Sequence, residues 1–442
     1  MPDMSHKNIL VLCFDRMGAD RLTLYGGKIE AHNMTFLAKN GTIYKNYIAC
    51  AASTGMNLIG MFTGLYPHET GIVFFDDRDY APLKDMREKN RERLLLPCLE
   101  DLGYETYFLW YRFLHMGSAY KGNQYKVKSW KGSRTRFMLL KKRSPTENYG
   151  QLNDVIKSAK KPWFVFALFE PVASRRFIGA SAKTTKMMCD DYIYDADSLL
   201  GMMRDVVGDD TVIYVTADHG HAHGEHGEIG YAMPLCESIL RIPLISSHGN
   251  GVVVNGYTSN TNFGNIVLNR ELKKDKYIYS FNVYPGQISK RVAIRKGSWK
   301  YIRHSPGWAP HGEEELYDLE VDPGECCNLL RRRSAANSDK RYKLGIPWRQ
   351  ALPRADWDEV EKIYSELRIE SERVWQPLHA PSSAEKERWR KYLEYQDRFK
   401  NIYGYSLYLT AKQVLRDPFR VIKILRHPFK AIKIALLGYL DK

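Results

Sequence analysis

The 442-residue sequence predicts an α/β fold in which a central, mostly parallel sheet lies between helices. Four short apolar runs have the length and composition of buried strands: residues 8–15, 162–170, 211–218 and 242–246. Helical patterns lie between them, for example over residues 54–63 and 190–206. Strands of a parallel sheet are covered on both faces, so they read as continuous apolar runs that alternate with helices.

Three of these predicted strands end in an acidic residue, namely Asp15, Glu170 and Asp218. In open α/β sheets, functional side chains gather at the edge where the strands end. Thr54 stands at the start of the predicted helix 54–63. We therefore expect Asp15, Asp218 and Thr54 to meet at one edge of the sheet.

The chain is predicted to have four parts. Residues 1–275 form the α/β domain, and residues 276–330 form a smaller C-terminal β subdomain. The latter is expected because residues 291–304, RVAIRKGSWKYIRH, have the pattern of two short strands around a Lys-Gly-Ser turn. Residues 331–407 are expected to form a helical extension, and residues 408–442 a basic helical tail.

The tail contains a near-repeat, DPFRVIKIL followed by HPFKAIKIA, with proline at the first helical position of each copy. Lysine and arginine recur every three or four residues, and apolar residues fill the other side. A basic face opposite an apolar face suits a helix lying on an anionic membrane surface. The alternative is a helix packed on the body of the protein or in a dimer.

The net charge of +15 favours anionic partners. Residues 106–146 contain no acidic residue and many basic ones, which suits a solvated surface or, as a weaker alternative, nucleic-acid binding. The N-terminus lacks the apolar core of a signal peptide, and no apolar run reaches the ~20 residues of a membrane span. The seven cysteines form no CxxC pair. We expect a cytoplasmic protein with reduced thiols, peripheral on the inner membrane face.

The densest group of chemically active residues is VTADHGHAHGEHGEIG, residues 215–230. A carboxylate beside an imidazole, as in Asp218-His219, suits Zn²⁺ or Mn²⁺ better than Mg²⁺ or Ca²⁺. Asp15 is either a further ligand or a solvated strand-end acid, and Thr54 is either a nucleophile or a helix cap. Further candidates to bind an anion or to protonate a leaving group are His221, His223 and His226.

Several stretches occur in the order of one known family. They include NILVLCFDRMGADRLTLYGG at 8–27, FTGLYPHETGI at 62–72, TADHG at 216–220 and ELYDLEVDPGECCNL at 315–329. On these residues the chain resembles the sulfatase family of the alkaline phosphatase superfamily. The resemblance implies an alkaline phosphatase-like sheet between helices with a smaller C-terminal subdomain. It also implies one divalent metal ion, with the ligands Asp15, Thr54, Asp218 and His219.

The departures from the family pattern are informative. Sulfatases carry Cys or Ser, matured to formylglycine, where this chain has Thr54, which that route cannot convert. Thr54 followed by Asn57 instead resembles the phosphodiesterase branch, in which a threonine nucleophile precedes a phosphate-binding asparagine. Threonine chemistry is also similar to that of phosphoethanolamine and phosphoglycerol transferases. Arg16 replaces an aspartate that many sulfatases use as a ligand, so it could clamp phosphate or pair with Asp15.

The sequence thus predicts a metal-dependent hydrolase or transferase of phosphate esters, acting on an anionic substrate linked to lipid or glycan. The predicted catalytic residues are Thr54 as nucleophile, Asn57 as donor to a phosphate oxygen and His226 as proton donor. The predicted substrate-binding residues are Arg16, His221 and His223. Two alternatives stay open: a sulfuric ester hydrolase, and a catalytically silent scaffold that binds anionic lipid or polysaccharide.

Overall fold

The structure, a computed structural model, describes residues 7–70, 94–110, 134–142, 144–171, 182–224, 229–230, 235–284, 289–304, 314–330 and 357–375. Several predictions therefore concern residues outside these ranges: His226, the basic tail 408–442, most of the extension 331–407 and much of the basic stretch 106–146. Within the described part, no helix combines the length and apolar character that crossing a bilayer requires.

The predicted α/β fold is confirmed. The main sheet has eight strands, in the spatial order β10 (Val252–Ser259), β2 (Thr42–Ile48), β9 (Arg241–Ser246), β6 (Thr211–Thr216), β1 (Asn8–Phe14), β5 (Trp163–Phe169), β3 (Glu105–Trp110) and β4 (Arg136–Leu139). Only β9 among them pairs antiparallel to its neighbours, so the other strands share one direction. The strand ends of β1, β2, β5 and β6 consequently lie at the same edge.

Helices and 3-10 turns connect these strands. Within the described residues the α-helices are α1 (His32–Asn40), α2 (Thr54–Thr63), α3 (Pro67–Thr70), α4 (Leu95–Asp101), α5 (Tyr149–Ser158), α6 (Ala182–Arg204), α7 (Glu237–Leu240), α8 (Phe263–Val267) and α9 (Trp357–Trp375). The 3-10 turns are Ala19–Arg21, Thr23–Tyr25, Thr146–Asn148 and Asn260–Asn262. Two short strands, β7 (Ala222–His223) and β8 (Ile229–Gly230), pair outside the main sheet.

The centre of the main sheet is fully buried, which explains its continuous apolar runs. Every residue of β1, β5 and β6 is buried. The rings of Phe14 and Phe169 stack across the β1–β5 pair with centroids 5.4 Å apart. Burying a large apolar side chain contributes roughly 1.5–3 kcal/mol, so this layer holds the strand ends in a rigid frame.

A second sheet follows the first along the chain. Its antiparallel strands are β11 (Ile278–Tyr284), β12 (Ser289–Lys296), β13 (Trp299–His304) and β14 (Glu314–Asp318). The turn between β12 and β13 contains Gly297 at φ +58°, a left-handed conformation that favours glycine. Helix α9 packs on this sheet and buries Leu367 and Val374 against it.

Hydrogen bonds and buried ion pairs join the second sheet to the main domain. The N–H of Phe281 on β11 donates to the Cys50 carbonyl over 2.9 Å, and the N–H of Ala52 donates back to the Phe281 carbonyl over 3.2 Å. Lys300 on β13 is buried and contacts Glu237 at 2.9 Å and Glu325 at 2.6 Å. The loop before α2 is therefore fixed by a strand of the other sheet.

Candidate active site

The register of the sheet brings two carboxylates together. Strands β1 and β6 are parallel neighbours, with Cys13 opposite Thr216. Asp15 lies two residues after Cys13, and Asp218 lies two residues after Thr216, so both stand at the same edge of the sheet. The N–H of Asp15 still donates to the Phe169 carbonyl at 2.9 Å, which continues the ladder one residue beyond β1. The strand-end rule thus accounts for both positions.

Asp15, Asp218 and His219 form a buried cluster. The Nε2 atom of His219 lies 3.4 Å from Asp15 Oδ1 and 3.6 Å from Asp218 Oδ2. One potential ligand atom from each residue falls within 4.8 Å of the other two. Asp218 and His219 are wholly inaccessible to solvent and Asp15 is 4% exposed. Two carboxylates in so small a buried volume repel each other unless a positive charge offsets them.

The hydrogen bonds of His219 define which nitrogen faces the carboxylates. Its Nδ1 lies 2.9 Å from the Gly220 carbonyl oxygen. Because a carbonyl can only accept a hydrogen bond, Nδ1 carries the proton of the neutral ring. The lone pair of Nε2 is then directed toward the carboxylates. The Nε2 distances to Asp15 and Asp218 exceed the usual hydrogen-bond range. Gly220 is required here because a Cβ would lie 1.9 Å from the Ser238 carbonyl oxygen.

The potential ligand atoms of Asp15, Asp218 and His219 suit a divalent cation. Asp218 Oδ1 accepts the His219 N–H at 2.8 Å, whereas no hydrogen-bond donor within the described residues reaches the buried Oδ2. Carboxylate oxygens and an imidazole lone pair therefore converge on one point. A buried acceptor without a donor costs about 1–3 kcal/mol, and a cation bound among these atoms would remove that cost. Two oxygens and one nitrogen suit Mn²⁺ or Zn²⁺.

Thr54 stands beside this cluster as the first residue of α2. Its Oγ1 lies 3.3 Å from His219 Nε2, and the residue is partly exposed. Ser53 precedes it as N-cap but its side chain makes no cap hydrogen bond. Gly64, at φ +69°, ends the helix and donates its N–H to the Gly60 carbonyl. Thr54 is thus the more exposed neighbour of a buried cluster.

Asn57 has a different environment from the one expected of a phosphate donor. It is fully buried, and its amide nitrogen donates to the carbonyls of Ala51 at 2.7 Å and Ser53 at 3.1 Å. Its Oδ1 accepts from the Ala51 N–H at 3.1 Å and from Asn260 Nδ2 at 2.8 Å. Both amide hydrogens are used within the protein, so in this structure Asn57 positions the loop before Thr54 instead of facing a substrate.

Arg16 lies next to the cluster in a strained conformation. Its φ is +66°, which costs a non-glycine residue about 1 kcal/mol or more. The side chain is 5% exposed, and its Nε is 3.4 Å from Asp15 Oδ2. Of the two roles that the sequence allowed, pairing with Asp15 is the contact seen here. That pairing offsets part of the negative charge at the site.

His221 and His223 lie just after His219, near Cys189 of α6. Burial lowers the pKa of His221 to about 2, with a further contribution from His223. Burial also lowers the pKa of His223 to about 4. Both rings are therefore neutral at pH 7, which disfavours them as acids that protonate a leaving group. Burial raises the pKa of the Cys189 thiol to about 12.

The sequence pattern did not indicate Asn260. This buried residue donates to Asn57, and its Oδ1 accepts the Cys50 N–H at 2.9 Å. It therefore helps to fix the loop that precedes Thr54. Asn260 is 203 residues from Asn57 along the chain, so no spacing rule links them.

Comparisons with known proteins agree with this fold. The sulfatase family model matches residues 7–269. No curated protein matches the chain. A protein solved with its substrate D-glucosamine-2-N,6-O-disulfate is similar over 85% of this chain and 100% of its own, with 14% identity and a TM-score of 0.59.

Two other solved structures are similar at the level of the fold. A 2-O GAG sulfatase is covered over 93% of its chain and 85% of this one, at 14% identity and a TM-score of 0.58. The phosphonate monoester hydrolase of Agrobacterium radiobacter is covered over 95% of its chain and 82% of this one, at 15% identity and a TM-score of 0.55. Since the family model spans more than half of the residues, this chain belongs to the sulfatase family of hydrolases in the alkaline phosphatase superfamily.

Proposed function

We propose that this protein transfers or hydrolyses phosphate esters through Thr54. The observation that carries the proposal is the 3.3 Å contact between Thr54 Oγ1 and His219 Nε2, beside the buried carboxylates of Asp15 and Asp218. A hydroxyl at this position can reach an esterified oxyanion from the solvent side while the acidic cluster lies beneath it. Membership of the sulfatase family supports hydrolysis of a sulfate or phosphate ester.

A single divalent ion is the cofactor that we propose, Mn²⁺ or Zn²⁺ before Ca²⁺ or Mg²⁺. Asp15, Asp218 and His219 would hold it, with Thr54 as the fourth ligand. When bound, such an ion lowers the pKa of a coordinated hydroxyl and offsets the charge of an oxyanion. The hydrogen bond from His219 Nδ1–H to the Gly220 carbonyl orients the ring so that Nε2 can bind the ion.

The chain's own residues would then carry out the transfer. Thr54 Oγ1 loses its proton to solvent and bonds to phosphorus, while the bond from phosphorus to the leaving oxygen breaks. The leaving oxygen gains a proton, for which we propose His226, outside the described residues. Water or an acceptor alcohol then bonds to phosphorus, the bond from phosphorus to Thr54 Oγ1 breaks, and the proton of the attacking group replaces the one that Oγ1 lost. The first N–H groups of a helix have no acceptor within it, so the start of α2 would favour the negative charge throughout.

An anionic substrate attached to lipid or glycan is the substrate class that we propose. The net charge of +15 supports an acidic partner. One structural neighbour takes a sulfated sugar as its substrate, which makes a glycan-linked ester a reasonable class to test here. Attachment to the cytoplasmic membrane surface through residues 408–442 remains a proposal from the sequence alone.

Sulfate ester hydrolysis is the second candidate, favoured by the family match and by the sulfatase neighbours. The residue at position 54 argues against it. Sulfatases of this family rely on a formylglycine made from Cys or Ser. Threonine has an ordinary hydroxyl, so attack by Thr54 would leave a stable sulfate ester on the enzyme, which must be cleaved before the sulfate is released. A catalytically silent scaffold is the third candidate, and stoichiometric metal that Asp218→Asn removes would argue against it.

The test compares aryl phosphodiester, aryl phosphomonoester and aryl sulfate substrates with Mn²⁺ present. We expect turnover of phosphate esters that Thr54→Ala lowers by roughly a thousandfold or more. The matched control is Ser53→Ala, which removes the neighbouring hydroxyl without breaking a side-chain cap bond and is expected to keep wild-type rates. Faster turnover of the sulfate than of either phosphate would favour the second candidate, and full activity in Thr54→Ala would refute the nucleophile.

A further inference from the structure

A second cluster of metal-ligand side chains lies beyond the carboxylate cluster along the chain. It consists of Cys189 from α6 and of His221 and His223, which stand on either side of Ala222 at strand β7. One potential ligand atom from each of the three residues lies within 4.8 Å of the other two. None of these residues belongs to the set Asp15, Thr54, Asp218 and His219 proposed to hold the catalytic ion.

The backbone explains why the two imidazoles meet. His221 immediately precedes β7 and His223 is the last residue of that strand, so the two side chains stand two positions apart along the backbone, the spacing at which neighbours on a strand share a side. Their ring centroids are 4.9 Å apart with an interplanar angle of 31°. The Nδ1–H of His221 donates to the Ala222 carbonyl at 2.9 Å, which leaves Nε2 as a lone pair. This is the arrangement that orients a metal-ligating histidine.

The burial of the cluster suits a bound ion with limited access. Cys189 is 2% exposed and His221 is 3% exposed, whereas His223 is only partly buried. Cys189 forms no disulfide. An ion could therefore enter from the side of His223 and be held by the two deeper ligands.

The two arginines near this cluster are each paired with a carboxylate. Arg21 is hydrogen-bonded to the carboxylate of Asp190, the residue after Cys189. Arg16 is paired with Asp15 at 3.4 Å. Because each guanidinium has its own carboxylate, repulsion of a cation by these side chains is reduced.

We propose that Cys189, His221 and His223 form a second cation site, specific for Zn²⁺. One sulfur and two nitrogen donors are a set that Zn²⁺ prefers over Mg²⁺, Ca²⁺ or Mn²⁺. On binding, a bond forms from the Cys189 sulfur to the ion and the thiol proton leaves to solvent. Three protein ligands leave the fourth tetrahedral position to water or to a substrate oxygen. This site does not depend on the reaction proposed for Thr54.

The test uses Co²⁺ as a spectroscopic substitute for Zn²⁺ in the full-length, reduced protein after chelator treatment. We expect a thiolate-to-cobalt charge-transfer band that saturates by two equivalents, because the carboxylate cluster also takes up Co²⁺, and that added Zn²⁺ removes. Cys189→Ser should abolish the band, whereas Asp218→Asn should retain it because only the carboxylate cluster is altered. Cys98→Ser is the matched control, since Cys98 is also a buried helical cysteine, and its band should equal that of wild type.

A ligand variant keeps the test decisive if Cys189→Ser fails to fold. His223→Gln removes the most exposed ligand, and we expect it to weaken Co²⁺ binding at the band by at least about tenfold. Far-ultraviolet circular dichroism reports the folding of each variant. Absence of the band in wild type, its survival in a folded Cys189→Ser, or unchanged affinity in His223→Gln would each overturn the proposal.

Discussion

Substitution of Asp218 by asparagine tests the proposed catalytic metal site without relying on activity. Asp218 Oδ2 is the buried acceptor that a cation would satisfy, and the substitution keeps the shape of the side chain. Wild-type protein in Mn²⁺ at a hundred times the dissociation constant should gain about 2.7 kcal/mol of stability. Asp218→Asn should lose most of that gain, because a neutral amide replaces a charged ligand.

The expected thermal shift follows from the length of the chain. The entropy of unfolding is about 2.1 cal/mol/K per residue near 60 °C, so for 442 residues a gain of about 2.7 kcal/mol raises the melting temperature by about 3 °C. Without metal, Asp218→Asn should be at least as stable as wild type, since it relieves the repulsion between two buried carboxylates.

Differential scanning fluorimetry after chelation and after addition of Mn²⁺ measures both shifts, and calorimetry gives the dissociation constant. The matched control is Asp205→Asn, an exposed aspartate just after α6, which should keep the full metal-dependent shift. An Asp218→Asn protein that binds Mn²⁺ as tightly as wild type, with the same thermal shift, would refute the assignment of this ligand.

Three further predictions concern stability. Lys300→Met should lower the free energy of unfolding, measured in urea, by about 3–5 kcal/mol, because it removes a cation that pairs with the buried carboxylates of Glu237 and Glu325. The control is Lys274→Met at an exposed lysine, and equal effects of the two substitutions would contradict the reasoning. Asn57→Ala should cost about 2–4 kcal/mol through the buried backbone groups it leaves unpaired, and a stable variant with a raised KM would instead indicate substrate contact. Burial, with a further contribution from Arg373, lowers the pKa of His68 to about 4. Between pH 6.5 and 4 the unfolded state therefore binds more protons than the folded state. The free energy of unfolding should fall by about 3 kcal/mol over that range. His68→Phe should flatten that part of the pH profile, and an unchanged slope would contradict it.

The sequence predicted the strands of the main sheet well because their burial makes them distinct. The runs at 8–15 and 162–170 match β1 and β5 to within a residue at each end. The reversed direction of β9 could not be predicted, since a strand buried on both faces has the same composition in either orientation. Helix α6 begins at Ala182, earlier than the pattern at 190 indicated, because its first turns are polar and lack a clear apolar period.

For the site, sequence reasoning succeeded where chain position determines the geometry. Asp15 and Asp218 meet because β1 and β6 are paired, a consequence of the strand-end rule. The role of Asn57 as a phosphate donor, suggested by its spacing from Thr54, stays a prediction, and the sequence did not indicate that its amide would bond to the backbone of residues 51 and 53. It also gave no sign that Cys189 approaches His221, because that contact depends on how α6 packs over β7.

The bonds between Phe281 and the residues before Thr54 have an implication for how this protein could change over evolution. The family model ends at residue 269, yet the backbone that carries the hydroxyl is held by β11, beyond that limit. A one-residue slip of β11 would move its partners to the opposite face and displace the start of α2 relative to the carboxylates. Insertions between residues 269 and 278 would therefore disturb a proposed active site that lies more than two hundred positions earlier, and we expect a fragment cut at the family boundary to lose the alignment of its proposed nucleophile, Thr54.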